Sequence, residues 1–107
     1  MTNNEIRDRI DKFFADADCI TVSRGCFYVR ECLRIILCEN IVIELTTLRE
    51  IYMKVAECNK LAKRIFGVEK SITRFIYEIW QNFPHLFKNR PAIKEFILRC
   101  IGEILKS

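Results

Sequence analysis

The stretch Val68–Gln81, VEKSITRFIYEIWQ, decides the fold of this chain. At about 100° per residue, its apolar side chains fall within one arc, and the opposite arc is polar. The apolar arc consists of Val68, Ile72, Phe75, Ile76 and Ile79. This spacing predicts an amphipathic α-helix whose apolar side packs on the domain and whose polar side faces outward.

The polar arc of this helix carries groups that can bind DNA. Four of its residues follow each other at steps of four, three and four: Lys70, Arg74, Tyr77 and Gln81. Thr73 lies at one edge of this stripe and Ser71 at the other. Lysine and arginine bind guanine edges or phosphates, and tyrosine, threonine and glutamine hydrogen-bond to either. The candidate base-reading residues are Lys70, Thr73, Arg74, Tyr77, Glu69 and Ser71.

A further helical pattern lies directly upstream. Thr47 and Glu50 form a capping box at its start. The apolar spacing then continues over Leu48–Phe66, as one helix or as two helices with a break near Asn59. The sequence therefore predicts that a second helix leads into Val68–Gln81.

The junction between the two patterns has the outline of a helix-turn-helix, over about residues 47–81. Gly67 is the residue there suited to a left-handed helix stop, and a second helix follows almost at once. In that motif the second helix enters the major groove and the first crosses the backbone. Lys60, Lys63 and Arg64 are accordingly the candidate phosphate contacts.

The N-terminal part of the chain is also helical in its spacing. Asn3 or Asn4 can cap a first helix that runs to about Ala15, and another helix is predicted after Gly25, over about 27–38. Alternation typical of a strand is confined to the short run 41–43. The inward positions predicted for these two helices are Ile6, Ile10, Phe13, Phe14, Val29, Leu33, Ile36 and Leu37.

Downstream of Gln81, Asn82-Phe83-Pro84 interrupts the helical spacing, so that 83–87 form at most one turn. A last helix is predicted to start around Arg90-Pro91, because proline is favoured in a first turn. Its regular apolar stripe is Ile93, Phe96, Ile97, Cys100, Ile101, Ile104 and Leu105. The whole chain, 1–107, is therefore expected to form a single all-α domain, a compact bundle of five to six helices containing a helix-turn-helix.

Length and composition exclude several classes of protein. The chain has 107 residues, half of them apolar, which suffices for one core. No apolar run approaches the roughly 20 residues of a membrane span, and no leader precedes Asn4, so a cytoplasmic location is expected. The six cysteines are then expected to stay reduced. No close cysteine pair suggests a metal site, His85 lacks a catalytic signature, and neither a cofactor nor catalysis is expected.

Charge is distributed unevenly along the chain. Residues 1–57 contain 8 basic and 10 acidic residues, a balance of −2, whereas residues 58–107 contain 10 basic and 4 acidic residues, a balance of +6. The basic half thus begins where the predicted helix pair approaches its turn. Positive charge placed there favours a polyanionic partner.

Three segments carry a resemblance to a known family. They are Gly25-Cys-Phe-Tyr-Val-Arg-Glu31, Val68-Glu69-Lys70-Ser-Ile72 followed by Ile76 and Trp80, and Arg90-Pro91 followed by Glu95-Phe96-Ile97. In this order they are similar to an early helix, the recognition helix and the last helix of the C-terminal DNA-binding effector domain of stage-zero sporulation protein A, from endospore-forming bacteria. Tyr52 and Val55-Ala56 also match a Tyr and Ile-Ala of that family.

The resemblance implies an all-helical domain that binds a short DNA box near promoters and contacts RNA polymerase sigma subunits. This chain departs from the family at Lys70 and Thr73, where the family has arginines, and lysine cannot make the planar two-pronged contact of arginine with guanine. Two registers of the turn are open, one with about two extra residues before Val68 and one that pairs Leu61-Ala62-Lys63 with the family's Ile-Ala-Lys.

The leading hypothesis from the sequence is a sequence-specific transcription regulator that binds double-stranded DNA, as a dimer or in tandem on repeated boxes. The 24 residues ahead of Gly25 are too few for the family's phosphoacceptor domain, so regulation by phosphorylation is not expected. The alternative is a protein-interaction module on the same scaffold, which would bind a sigma factor, another regulator or, for a phage gene, a host protein. The acidic N-terminal half and the low net charge of +4 favour that alternative.

Overall fold

Helices account for most of residues 1–18, 23–60 and 65–106, which a computed structural model describes apart from the side chain of Phe66. Two 3₁₀ turns lie between them, and no described residue is in a strand. Within these ranges, no helix has the length and apolar character needed to cross a membrane. The α-helices are α1 (Asn3–Asp16), α2 (Arg24–Cys38), α3 (Leu48–Cys58), α4 (Ile65–Ile79) and α5 (Ile93–Lys106), and the 3₁₀ turns are Ile43–Leu45 and Trp80–Asn82. The predicted all-α bundle is confirmed.

Three of the helices begin at a hydroxyl side chain. The side-chain oxygens of Thr2, Ser23 and Thr47 each accept a hydrogen bond from the backbone N–H three residues later, at 3.1–3.2 Å. Each bond satisfies one of the amide donors that a helix start leaves without an intrahelical acceptor. The cap predicted at Thr47 is confirmed, whereas α1 is capped by Thr2 and not by Asn3 or Asn4.

Two helix starts differ from the sequence prediction. The α2 helix begins at Arg24 and not near Phe27, because Ser23 caps it, so Gly25 lies inside its first turn. The α5 helix begins at Ile93, after Pro91 rather than at it. The run 41–43, where alternation suggested a strand, leads into a 3₁₀ turn.

The boundary between α3 and α4 corrects the prediction for Gly67. The α3 helix ends at Cys58, and the side-chain amide of its C-cap, Asn59, donates a 2.9 Å hydrogen bond to the Val55 carbonyl. Lys60 then adopts a left-handed backbone, with φ of 54°. Gly67 lies in the first turn of α4, without a positive φ. The predicted stop at Gly67 is therefore wrong, and the alternative of a break near Asn59 is confirmed.

The core is built around α2, which contacts each of the other four helices. Its members come from all five helices, and the largest of them include Phe14, Leu33, Ile35, Ile51, Ile72, Phe96 and Ile97. Cys32 and Cys100 are fully buried among them, as expected for small core side chains. Leu105, predicted to face inward, is 51% exposed. It follows the buried Ile104 and is rotated from it by about 100° around the helix.

Aromatic packing fixes the segment that joins α4 to α5. The Phe83 ring stacks on Phe13 of α1 at 5.2 Å between centroids and meets Phe96 of α5 edge-on at 5.7 Å. Phe87 in turn stacks on Phe96 at 5.3 Å. Such pairs contribute about 0.5–1.5 kcal/mol each beyond the area they bury. The segment is thus held against the bundle on its way to Arg90.

The crossing of α2 and α4 is unusually close at Gly25. A Cβ placed on this glycine would overlap with the Ser71 carbonyl oxygen and with Cβ of Phe75. Only a residue without a side chain lets the two backbones approach in this way. Gly25 therefore brings the first turn of α2 directly against the middle of α4.

Candidate nucleic-acid interface

The two arcs predicted for α4 are present in the structure. Its apolar arc is buried against the bundle and consists of Val68, Ile72, Phe75, Ile76 and Ile79. Its polar arc is open to solvent at Lys70, Arg74 and Tyr77, whereas Gln81, predicted to continue it, lies beyond the end of α4 in the 3₁₀ turn Trp80–Asn82. Because α4 contacts α2, α3 and α5, the bundle holds its orientation, and the polar side chains are presented outward.

One continuous surface is formed by this polar side of α4. Six side chains line it together, and all six are exposed: Glu69, Lys70, Thr73, Arg74, Tyr77 and Glu78. We call this surface the outer face of α4. It brings together five of the six predicted base-reading residues, all except Ser71.

The charges of the outer face are balanced in number but not paired in space. It carries two cations, Lys70 and Arg74, and two carboxylates, Glu69 and Glu78. No ion pair joins either cation to a carboxylate among the described residues. Elsewhere in the bundle such pairs do form, as between Arg34 and Glu31 at 2.8 Å. The cationic groups of the outer face are thus available to an external ligand.

Tyr77 is held in place by a residue distant in sequence. The Arg90 guanidinium lies over the Tyr77 ring, 4.9 Å from its centroid, a cation–π contact. The ring is nevertheless 61% exposed. Arg90 therefore places a further cation beside the outer face, from a segment outside α4. In the sequence, Arg90-Pro91 indicates only a helix start, because nothing local indicates that the segment before α5 returns to α4.

Ser71 lies on the side of α4 that meets α2, apart from the outer face. It is half-buried, and its carbonyl oxygen is against Gly25. The helical spacing placed Ser71 at the edge of the polar arc, and the approach of α2 then covers part of that edge. Its hydroxyl is therefore less available to a ligand than the side chains of the outer face.

The three predicted phosphate contacts are only partly described. Lys60 is exposed and follows the C-cap of α3, as a candidate contact at the end of that helix requires. Lys63 and Arg64 lie outside the described residues, as does the stretch 61–64 in which a turn between α3 and α4 would fall. The two alternative registers of that turn concern this same stretch, so both lie outside the described residues.

Burial shifts the pKa of two side chains in the core, Cys32 and Tyr52. Burial, with a smaller contribution from Glu31, raises the pKa of the Cys32 thiol to about 12, so it stays protonated and unreactive. Burial also raises the pKa of Tyr52. In the described ranges, no three histidine, cysteine or acidic side chains group as metal ligands would, and Cys32, Cys38 and Cys58 are free thiols.

No protein-family model, curated protein or solved structure matches the chain. The functional inference therefore depends on the geometry and charge of the bundle itself.

Proposed function

We propose that this protein is a sequence-specific DNA-binding transcription regulator that inserts α4 into the major groove. In this proposal α3 and α4 act as a helix-turn-helix, with α3 crossing the DNA backbone. The protein would act in the cytoplasm of a bacterium, bound to double-stranded DNA as a dimer or in tandem. The resemblance to the sporulation regulator family adds promoter boxes and an RNA polymerase sigma subunit as proposed partners.

The observation that carries the proposal is the outward presentation of polar and cationic side chains on one helix. The 15 residues of α4 extend over about 22 Å, and a major groove about 12 Å wide admits a helix of this kind. Its apolar arc is buried, so the helix is held as a rigid unit while the outer face remains free. A groove-binding helix needs both properties.

The residues of the outer face divide into roles by their chemistry. Lys70 and Arg74 would donate to guanine N7 and O6 or to phosphates, and Thr73 and Tyr77 would hydrogen-bond to bases or phosphates. Glu69 would accept from the amino group of cytosine, the usual role of a carboxylate in the major groove. Lys60, Lys63 and Arg64 would bind phosphates and set the position of the domain.

The experiment that tests this proposal starts with a random-sequence selection on the purified chain, followed by gel shifts with the selected duplex. The double variant Lys70→Ala/Arg74→Ala should lower the preference for the selected over a scrambled duplex by roughly tenfold or more, because each lost base contact removes discrimination. A double variant that binds and discriminates as the wild type does would disprove this assignment of the reading face.

The matched control is Arg7→Ala/Lys12→Ala, which removes the same charge from exposed positions of α1. The buried side of α1 approaches the buried side of α4, with Phe14 and Phe75 6.3 Å apart. The exposed side of α1 therefore points away from the outer face of α4. This control should keep the sequence preference of the wild type.

A protein-interaction module is the second candidate function. Two observations favour it: Glu69 and Glu78 balance Lys70 and Arg74 in number, and Leu45 is 86% exposed beside an exposed Val42. A DNA-binding domain would be retained on heparin or random-sequence DNA, with retention falling steeply between low and moderate salt. A protein-interaction module would lack this retention and co-purify with a protein partner.

A further inference from the structure

A cationic groove runs between the start of α2 and the middle of α4. It exists because Gly25 lets the two helices approach closely, which brings Arg24 of α2 to the same groove as three residues of the outer face, Lys70, Arg74 and Glu78. Its lining includes Arg24 and Gly25 of α2 and Lys70, Ser71, Arg74 and Glu78 of α4. We call it the α2–α4 groove.

Three cations and one carboxylate face this groove. Arg24 comes from α2, Lys70 and Arg74 come from α4, and Glu78 is the carboxylate. All three cations are exposed, and none of them has an ion-pair partner among the described residues. Because like charges repel, such a convergence favours an anionic ligand that lies between them.

The helix that begins at this groove adds to its positive potential. Ser23 caps α2, and the first amide groups of the helix point towards its N-terminal end. The contribution of the helix end is smaller than that of three full charges. The cations therefore dominate the field in the groove.

The position of the groove indicates an extended anion. Lys70, Arg74 and Glu78 line both the α2–α4 groove and the outer face of α4, so the two surfaces are continuous. A ligand that covers the outer face also reaches the groove, as a DNA strand at the edge of the major groove does. Arg24 lines the groove from α2, opposite the side chains that α4 contributes.

We propose that the α2–α4 groove binds one backbone phosphate of the DNA strand that borders the major groove occupied by α4, with Arg24 as its anchor. This inference rests on the proposed function and adds a contact from a helix outside the helix-turn-helix. Arg24 contributes affinity and fixes the rotation of α4 in the groove. It carries no sequence information, because a phosphate is the same at every base pair.

The test compares Arg24→Ala with the wild type, both as the whole chain of 107 residues. Loss of one charge-assisted contact should weaken binding roughly tenfold, by about the same factor on the selected and on a random duplex. The slope of log affinity against log salt should fall by about 0.9. Arg7→Ala, which removes an exposed arginine from α1, is the control and should change neither quantity.

A second measurement ties Arg24 to a single phosphate. Duplexes in which one phosphate at a time is replaced by an uncharged methylphosphonate should reveal one position at which the wild type loses affinity and Arg24→Ala loses none. Equal sensitivity of both proteins at every position, or an unchanged salt slope, would overturn the groove proposal and leave the proposed function standing. A wild type that shows no salt-dependent DNA binding would overturn both.

Discussion

Gly25 shows how a single position controls the presentation of α4. The absence of a side chain there sets the distance between two helix backbones, since a Cβ would overlap with backbone atoms that cannot turn away. Any larger residue must push α2 and α4 apart. A larger side chain at this position would therefore weaken the packing along the whole α2–α4 contact and not only at one residue.

Substitution of Gly25 with alanine should destabilise the fold by about 1–3 kcal/mol, the usual cost of overpacking. Urea unfolding followed by circular dichroism measures this change. The matched control is Gly102→Ala in α5, where a Cβ would meet nothing within 4 Å. There alanine should stabilise the protein by about 0.5–1 kcal/mol, because it favours the helix. Equal effects at both glycines would contradict the close crossing.

At the level of helices, Glu31 connects α2 to the end of α3. Its carboxylate accepts hydrogen bonds from Arg34 at 2.8 and 3.1 Å and from the Asn59 amide at 2.9 Å. Burial raises the pKa of Glu31, but these hydrogen bonds and the charge of Arg34 outweigh it, so the pKa lies below its usual 4.5. Because the folded protein favours the ionised form, Glu31 stabilises it fully above pH 4.5.

This contribution should disappear as the pH falls through the lowered pKa of Glu31. We expect Glu31→Gln to be less stable than the wild type by about 1–2 kcal/mol at pH 7, and we expect the difference to shrink below pH 4.5. The free energies of unfolding of the wild type and of Glu31→Gln, measured between pH 3 and pH 7, give this difference. Glu44→Gln serves as the control, since Glu44 is exposed and has no ion pair among the described residues. A stability difference between the wild type and Glu31→Gln that stays constant with pH would contradict the role of Glu31 in connecting α2 to the end of α3.

Regular helical patterns made much of the fold predictable from the sequence. The buried arc of α4 and the Thr47 cap follow from local spacing and local hydrogen bonds, and both are confirmed. The end of α3 was harder to predict from the sequence, because the Asn59 side chain hydrogen-bonds to Glu31, 28 residues away. Glycine is a residue type that often ends a helix, but α3 already ends at Cys58, before Gly67.

The candidate site was predictable only where it lies on one helix. Periodicity alone placed Lys70, Thr73 and Arg74 on one face. Arg24 and Arg90 were not recognised, since each reaches the site through a contact between distant segments, at Gly25 and at Tyr77 respectively. Such crossings depend on how helices pack, and a single sequence carries no local signal for them.

For the whole molecule, the cysteines report on the integrity of the core. Cys58 is exposed, whereas Cys32 and Cys100 are fully buried in different helices. A thiol-specific reagent should label Cys58 rapidly in the native protein and reach Cys32 and Cys100 only at the rate of global unfolding. Mass spectrometry of digested peptides measures these rates.

A Cys58→Ser variant should lose the rapid labelling at that position and keep the slow labelling of the two buried thiols. Rapid modification of Cys32 in the native protein would mean that α2 is not the packed centre of the bundle. The pKa of about 12 strengthens the expected protection, because at neutral pH this thiol carries almost no thiolate.

The contact of Gly25 with the backbone of α4 also limits how such a protein can diversify. A helix braced against a neighbour's main chain keeps its tilt when its outward side chains are exchanged. New binding preferences could then arise by replacing Glu69, Lys70, Thr73 or Arg74 one at a time, without refolding the scaffold behind them. The rest of the bundle would then remain an unchanged scaffold, and sequence variation among descendants should concentrate on the outer face of α4.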